Sequence, residues 1–245
     1  MTWLRSALFN LFFFVFSATY ATLLLPLLLG PRRWLVAPLR LWAGVVIGML
    51  RLLCGIRLRV TGREHLPADG GPALLAAKHQ SAFDTVVWLW LLPDTAYVLK
   101  RELQNIPVWG WLVRGSGMIA VDRMAGASAM RHLLRVGKAA AAENRQMVIF
   151  PEGTRVPPGE RRPYQPGVAA LAAATGLPVI PVATDSGLRW GRRAFQKRPG
   201  VITVAVLPPL PPGLKRDALL HRLEDAIEPA TLRLLQSSTV DKPVD

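Results

Sequence analysis

The chain has 245 residues, enough for one large domain or a domain with an appendage, and 51% of them are apolar against 19% charged. Its net charge of +14 favours polyanionic partners, yet half of that excess lies in the first 60 residues, where Arg5, Arg32, Arg33, Arg40, Arg51, Arg57 and Arg59 stand among apolar runs with no Asp or Glu. That pattern fits an anionic membrane surface rather than nucleic acid, for which no polar recognition module stands out; the single cysteine, Cys54, excludes an intrachain disulfide, and four scattered histidines (His65, His79, His132, His221) argue against a metal site.

Residues 6–30 carry no charge, and such a stretch can cross a bilayer, which takes roughly 20 apolar residues. Pro26 and Pro31 interrupt or end the helix, and Arg32-Arg33 follow at once. Read as a span, the arginines place the rest of the chain on the cytoplasmic side of the inner membrane. A cleaved signal peptide is the rival, but the stretch is long for a signal and no clean small-x-small cleavage site stands out. Residues 34–56 are apolar except for Arg40 and Arg51. Eleven residues at about 100° each bring both arginines to one face, so the segment reads as an amphipathic helix in the interface. The alternative is a second span in which Gly44 and Gly48 let it approach the first closely. Residues 1–56 are thus expected to be membrane-associated helices, and 57–245 a separate domain.

Residues 61–71 are polar and turn-rich, closing on Asp69-Gly70-Gly71-Pro72. Beyond them, apolar runs predict strands at 73–78, 96–100, 118–121, 146–150, 178–183 and 201–206. Helical patterns fall at 81–92, 104–114, 127–143, 168–175 and 215–236, with Pro229 a candidate kink; residues 237–245 read as a frayed tail. The alternation predicts an α/β fold, a mixed and largely parallel sheet flanked by helices.

Two stretches can carry chemistry. In His79-Gln80-Ser81-Ala82-Phe83-Asp84 the histidine ends a predicted strand and the aspartate opens the next helix. Asp84 can turn back onto one imidazole nitrogen and leave the other free to take a proton, two-thirds of a serine-protease relay without its nucleophile. Ser81 can cap the helix. In Phe150-Pro151-Glu152-Gly153-Thr154-Arg155 the glycine permits a tight turn that brings backbone N–H groups to a ligand, Thr154 offers a hydroxyl, and Arg155 offers a planar fork for phosphate. Glu152 can bond a substrate hydroxyl or hold Arg155. Arg123, Lys100 and Arg101 also follow predicted strands. In a parallel sheet such ends converge, which makes them further candidate phosphate ligands.

These blocks resemble the glycerolphosphate acyltransferase family over residues 72–184. Residues 79–84 match its H-x4-D block, Gly117 to Arg123 resemble its second block, residues 150–155 match its FPEGTR-type block, and Val179-Ile180-Pro181-Val182-Ala183 resembles the fourth. The resemblance implies a membrane-docked enzyme that moves an acyl group from acyl-CoA or acyl-carrier protein to the sn-2 hydroxyl of 1-acyl-glycerol-3-phosphate (lysophosphatidic acid), giving phosphatidic acid. It implies no cofactor beyond the acyl donor. His79, oriented by Asp84, would be the base; Arg155, Arg123 and Lys100 would hold the phosphate; Glu152, Gly153 and Thr154 would meet the glycerol. Relatives with such blocks acylate other lyso-lipids, lyso-ornithine lipid among them. Two readings from other classes are a non-catalytic protein binding anionic lipid and a lipid hydrolase; no Gly-x-Ser-x-Gly elbow supports the latter.

Overall fold

The computed structural model describes residues 1–122 and 124–240. Among these, seven strands form one sheet in the order β1-β7-β6-β2-β5-β3-β4. They are β1 (Ile56–Thr61), β2 (Ala73–Ala77), β3 (Thr95–Lys100), β4 (Ile119–Val121), β5 (Gln146–Ile149), β6 (Val179–Thr184) and β7 (Gly200–Val206). The helices are α1 (Thr2–Leu23), α2 (Val36–Cys54), α3 (Phe83–Leu91), α4 (Trp109–Gly115), α5 (Gly126–Ala142), α6 (Gly167–Thr175) and α7 (Arg216–Val240). All neighbouring strands are parallel except β6 and β7, so β1 and β7 run against the rest. The fold is the mixed, mainly parallel α/β sandwich that the alternation predicts.

Side-chain alternation along the central strand separates two cores. Ala73, Leu75 and Ala77 of β2 join the cluster holding Trp42, Phe83 and Trp88 on α2 and α3. Leu74 and Ala76 face the other way, into the cluster holding Leu133, Leu171 and Leu223 on α5, α6 and α7. All five residues of β2 are buried, as expected for a strand covered on both faces.

The two N-terminal segments, Thr2–Leu29 and Arg32–Cys54, are long and apolar enough to cross a membrane. The first is α1 followed by a 3₁₀ stretch from Leu25 to Leu29, where Pro26 stands at the start. One face of α1 packs on the domain through Ser6, Phe9, Phe13, Phe16 and Ala21, while Leu4, Leu8, Leu11, Phe14 and Val15 lie exposed. α2 buries Leu39, Trp42, Ala43, Val46 and Leu50 at helical spacing and ends at Gly55, whose φ of 66° is the left-handed cap that glycine supplies. Arg40 and Arg51 are both exposed on it. Gly44 does not serve a contact with α1: a Cβ there would come within 2.7 Å of the Trp90 ring, so the glycine admits α3, and Gly48 faces open space. Arg32 is used internally, pairing with Asp94 at 2.9 Å and Glu143 at 3.1 Å.

The structure departs from expectation at three places. β1 was not anticipated; Ile56, Leu58 and Val60 alternate with Arg57 and Arg59 as a half-buried edge strand on β7. The helix predicted over 104–114 divides into a 3₁₀ turn, Arg101–Asn105, and α4, because Pro107 cannot continue a helix and Val108 takes a φ of 63°. α7 runs on through Pro229 to Val240, and Ser238 donates to Asp185 at 2.6 Å, so the expected fraying from 237 does not begin there; residues 241–245 lie outside the described residues.

Candidate active site

β2 and β5 are parallel neighbours with Ala76 opposite Ile149. Three residues on, the same register sets His79 beside Glu152 at the C-terminal edge of the sheet, where α/β folds gather ligand-binding residues. Two hydrogen bonds fix the His79 backbone: its N–H donates to Glu152 Oε2 at 2.9 Å, and its carbonyl accepts Val156 N–H at 2.8 Å.

The His79 ring is held on its edge and on its face. Nδ1 lies 3.1 Å from Asp84 Oδ2, and that oxygen also accepts Gln80 N–H at 2.7 Å and Ser81 N–H at 2.8 Å. The carboxylate therefore selects the Nδ1–H tautomer and leaves Nε2 with its lone pair. Ser81 Oγ accepts Phe83 N–H at 3.0 Å, which fixes the entry to α3 and with it Asp84. The Phe150 ring stacks on the imidazole, centroids 3.9 Å apart at 15°. Among the described residues no Ser, Thr or Cys side chain is hydrogen-bonded to His79. A proton accepted at Nε2 must come from a ligand.

His79 opens onto a cleft of about 600 Å³. One wall is apolar: Leu39 and Trp42 of α2, Tyr97, Trp109, Leu112 and Met118. The other side carries Lys100, Gly153, Thr154, Arg155, Arg192 and Arg193. Gly153 has a φ of 69°, the left-handed conformation that suits glycine, and its N–H closes a turn onto Phe150 O at 2.9 Å. Arg155 is half-buried. Desolvation lowers its pKa, Arg192 and Arg193 push the same way, and Asp84 opposes them. Among the described residues, none of Lys100, Arg155, Arg192 and Arg193 takes part in a salt bridge.

The structure thus brings His79, Asp84, Lys100, Gly153, Thr154 and Arg155 to one place. It turns the Glu152 side chain away from this cleft, whereas the expectation has Glu152 meeting the substrate glycerol. Its side chain is buried, with Oε1 on Lys78 Nζ at 2.6 Å and Oε2 on the His79 N–H. Lys78, one residue before His79, projects to the opposite face of the sheet by strand alternation. There its ammonium also bonds Glu228 of α7 at 2.8 and 2.9 Å, and Tyr164 OH donates to Glu228 at 2.8 Å. Burial pushes the Glu152 carboxyl up to about 7, against the pull of Lys78. Arg101 pairs with Asp122 at 3.3 Å and does not line the cleft. Arg123 lies outside the described residues. Arg192, Arg193 and the α2 wall were not anticipated; the run from Ser186 to Gly200, which holds basic residues and no acid, was the available signal for the arginines.

Residues 57–185 match the family model described as Acyltransferase. A 1-acyl-sn-glycerol-3-phosphate acyltransferase of Pseudomonas aeruginosa is 35% identical over 167 residues, 68% of this chain and 64% of that protein. One of the same name from Limnanthes alba is 31% identical, over 69% of this chain and 60% of its own. The alignments span about three fifths of the length of these curated relatives. The crystal structure of the 1-acyl-sn-glycerophosphate acyltransferase of Thermotoga maritima superposes with a TM-score of 0.78, covering 96% of this chain and 98% of that one at 21% identity, a likeness of fold. With a matched segment that runs from β1 past β6 and includes both the His79–Asp84 pair and the Arg155 turn, the chain belongs to the acyltransferase family.

Proposed function

We propose that this chain is a membrane-associated O-acyltransferase that moves a fatty acyl group from acyl-CoA or acyl-carrier protein to the sn-2 hydroxyl of 1-acyl-glycerol-3-phosphate. The observation that carries the reading is a His–Asp pair with no nucleophile hydrogen-bonded to it among the described residues, set where an apolar wall meets the cations Lys100, Arg155, Arg192 and Arg193. A phosphorylated amphiphile with a free hydroxyl matches all three features. Nε2 of His79 takes the hydroxyl proton as the oxygen attacks the thioester carbonyl. The C–O bond forms, the tetrahedral intermediate collapses, the C–S bond breaks, and the thiolate leaves with the proton returned by the imidazolium. Asp84 orients the ring and stabilises its charged form. Arg155 and Lys100, with Arg123, hold the phosphate, and Gly153 and Thr154 border the glycerol. The thioester supplies the driving force, so the reading needs no cofactor.

α1 supports docking on the bilayer as opposed to crossing it. It is packed on the domain from Ser6 to Ala21 and exposes an apolar face on its other side, the form of an interfacial helix. In this reading the domain sits on the cytoplasmic face of the inner membrane. Among acceptors, the cations that line the cleft favour a phosphate-bearing lyso-lipid over lyso-ornithine lipid, which has no phosphate. The test is turnover of labelled acyl-CoA by the purified protein with a panel of lyso-lipids, with and without His79→Ala. Full activity in that variant would remove the reading. Lipid binding without turnover would favour a non-catalytic role, and fatty acid release without acceptor would favour a hydrolase.

A further inference from the structure

The segment between the 3₁₀ turn Ser186–Leu188 and β7 lies outside the residues expected to carry the reaction, yet it borders the cleft. Arg198 N–H donates to Arg189 O at 2.9 Å and closes its base; Ala194 N–H donates to Gly191 O at 3.1 Å and closes a tight turn whose two central residues are Arg192 and Arg193. Arg193 has a φ of 56°, a left-handed conformation that a long side chain adopts only when its surroundings impose it. Arg192 Nη1 donates to the Arg155 carbonyl at 3.4 Å, so the turn lies directly against the residue already assigned to phosphate.

The turn is fixed from behind. Lys197 is 4% exposed and has no carboxylate partner among the described residues. Its ammonium donates to Phe195 O at 3.0 Å, to Ala194 O at 3.2 Å and to Asn10 Oδ1 of α1, and it lies over the Trp190 and Phe9 rings at 5.2 and 5.9 Å. Lys197 N–H donates to Ser6 Oγ at 2.9 Å, and Asn10 Nδ2 donates to Phe195 O at 3.1 Å. The helix that carries the exposed apolar face therefore also holds the arginine turn in place. Two guanidiniums are presented beside a third, and among the described residues neither Arg192 nor Arg193 has a salt-bridge partner. Like charges so placed repel one another, and a bound anion reverses the sign of that interaction.

We propose that Arg192 and Arg193 form a phosphate-binding subsite at the mouth of the cleft, taking a phosphate group of one of the two substrates. The proposal rests on the acyltransferase reading for the identity of those substrates. The phosphate is either the monoester of the lyso-lipid or one of those of coenzyme A. Both are served by the planar fork of arginine, and the KM of each substrate tells them apart.

The experiment is steady-state kinetics of the full chain and of R192A/R193A, with lysophosphatidic acid in mixed micelles and acyl-CoA varied in turn. A charge-assisted contact to phosphate predicts a KM rise of roughly tenfold or more for one substrate, with the larger share of the loss in KM rather than kcat. A rise for the lyso-lipid assigns the subsite to the lipid headgroup; a rise for acyl-CoA assigns it to the donor. Neither KM moving overturns the proposal. If the alanine pair does not fold, R192Q/R193Q keeps length and polarity without charge and is read the same way. Calorimetric binding of lysophosphatidic acid and of coenzyme A to His79→Ala, with and without the glutamine pair, separates the two readings. Weaker binding of either ligand keeps the phosphate subsite even if turnover fails for other reasons, and equal binding of both removes it.

Discussion

Glu152 offers the sharpest test, because two roles for it predict opposite results. Its carboxylate is buried between Lys78 and the His79 N–H, a position from which it would fix the backbone of the proposed base. Glu152→Ala leaves a buried N–H without an acceptor and removes one of the two carboxylates on Lys78, at a cost of about 3–5 kcal/mol. For a chain of this length that is a fall in Tm of roughly 10 °C. Glu152→Gln keeps an oxygen for the His79 N–H, and Lys78 retains Glu228; the expected cost is about 1 kcal/mol. The pH dependence adds a signature. Burial raises the Glu152 carboxyl from 4.5 to about 7. Between those values the native chain keeps a proton that the unfolded chain has lost, so stability falls as pH rises through the window. The contribution is roughly 3 kcal/mol, and glutamine lacks it. Urea unfolding of both proteins across that window should show the wild type losing its relative stability by that amount. Turnover should survive in the glutamine variant with an unchanged KM for the lyso-lipid. A flat stability difference, or an acceptor KM that rises with stability unaltered, would refute the reasoning and return Glu152 to the substrate.

Asp84→Asn keeps the size of the side chain but removes the carboxylate that orients His79, and both it and His79→Ala should lower kcat by about 10³–10⁴-fold with little change in lipid binding; activity within tenfold of wild type would exclude the general-base role. Leu11→Glu with Phe14→Glu places two charges on the exposed apolar face of α1; sedimentation with anionic vesicles should fall at least tenfold while the circular dichroism spectrum stays unchanged, and undiminished binding would mean that this face does not meet the membrane. Lys197→Met removes the ammonium that ties the arginine turn to α1. It should raise the same KM that R192A/R193A raises, and a variant whose KM values match wild type would show that the turn holds its place without that tie.

Local sequence determined a large part of this protein. Buried runs such as 73–78 and 146–150 had to be strands in a covered sheet, because apolar stretches that short, bounded by turns, have no better way to satisfy their backbone. Four residues between His79 and Asp84 across a strand-to-helix junction are enough for the carboxylate to reach back to Nδ1, so that pair is a local device and was legible. The same holds for the Gly153 turn, and Pro107 was a local stop that a longer helical pattern concealed. Other features depended on neighbours distant in the chain. Whether Glu152 faced substrate or core was decided by Lys78, which the β2–β5 register brings beside it, and by Glu228 on a helix across the sheet. Arg192 and Arg193 joined the cleft because β6 and β7 pair antiparallel and their connection folds back over Arg155 and onto α1. Sequence sets which groups a segment can offer; the direction of a side chain beyond a strand end is set by the charges and cavities that the fold assembles around it.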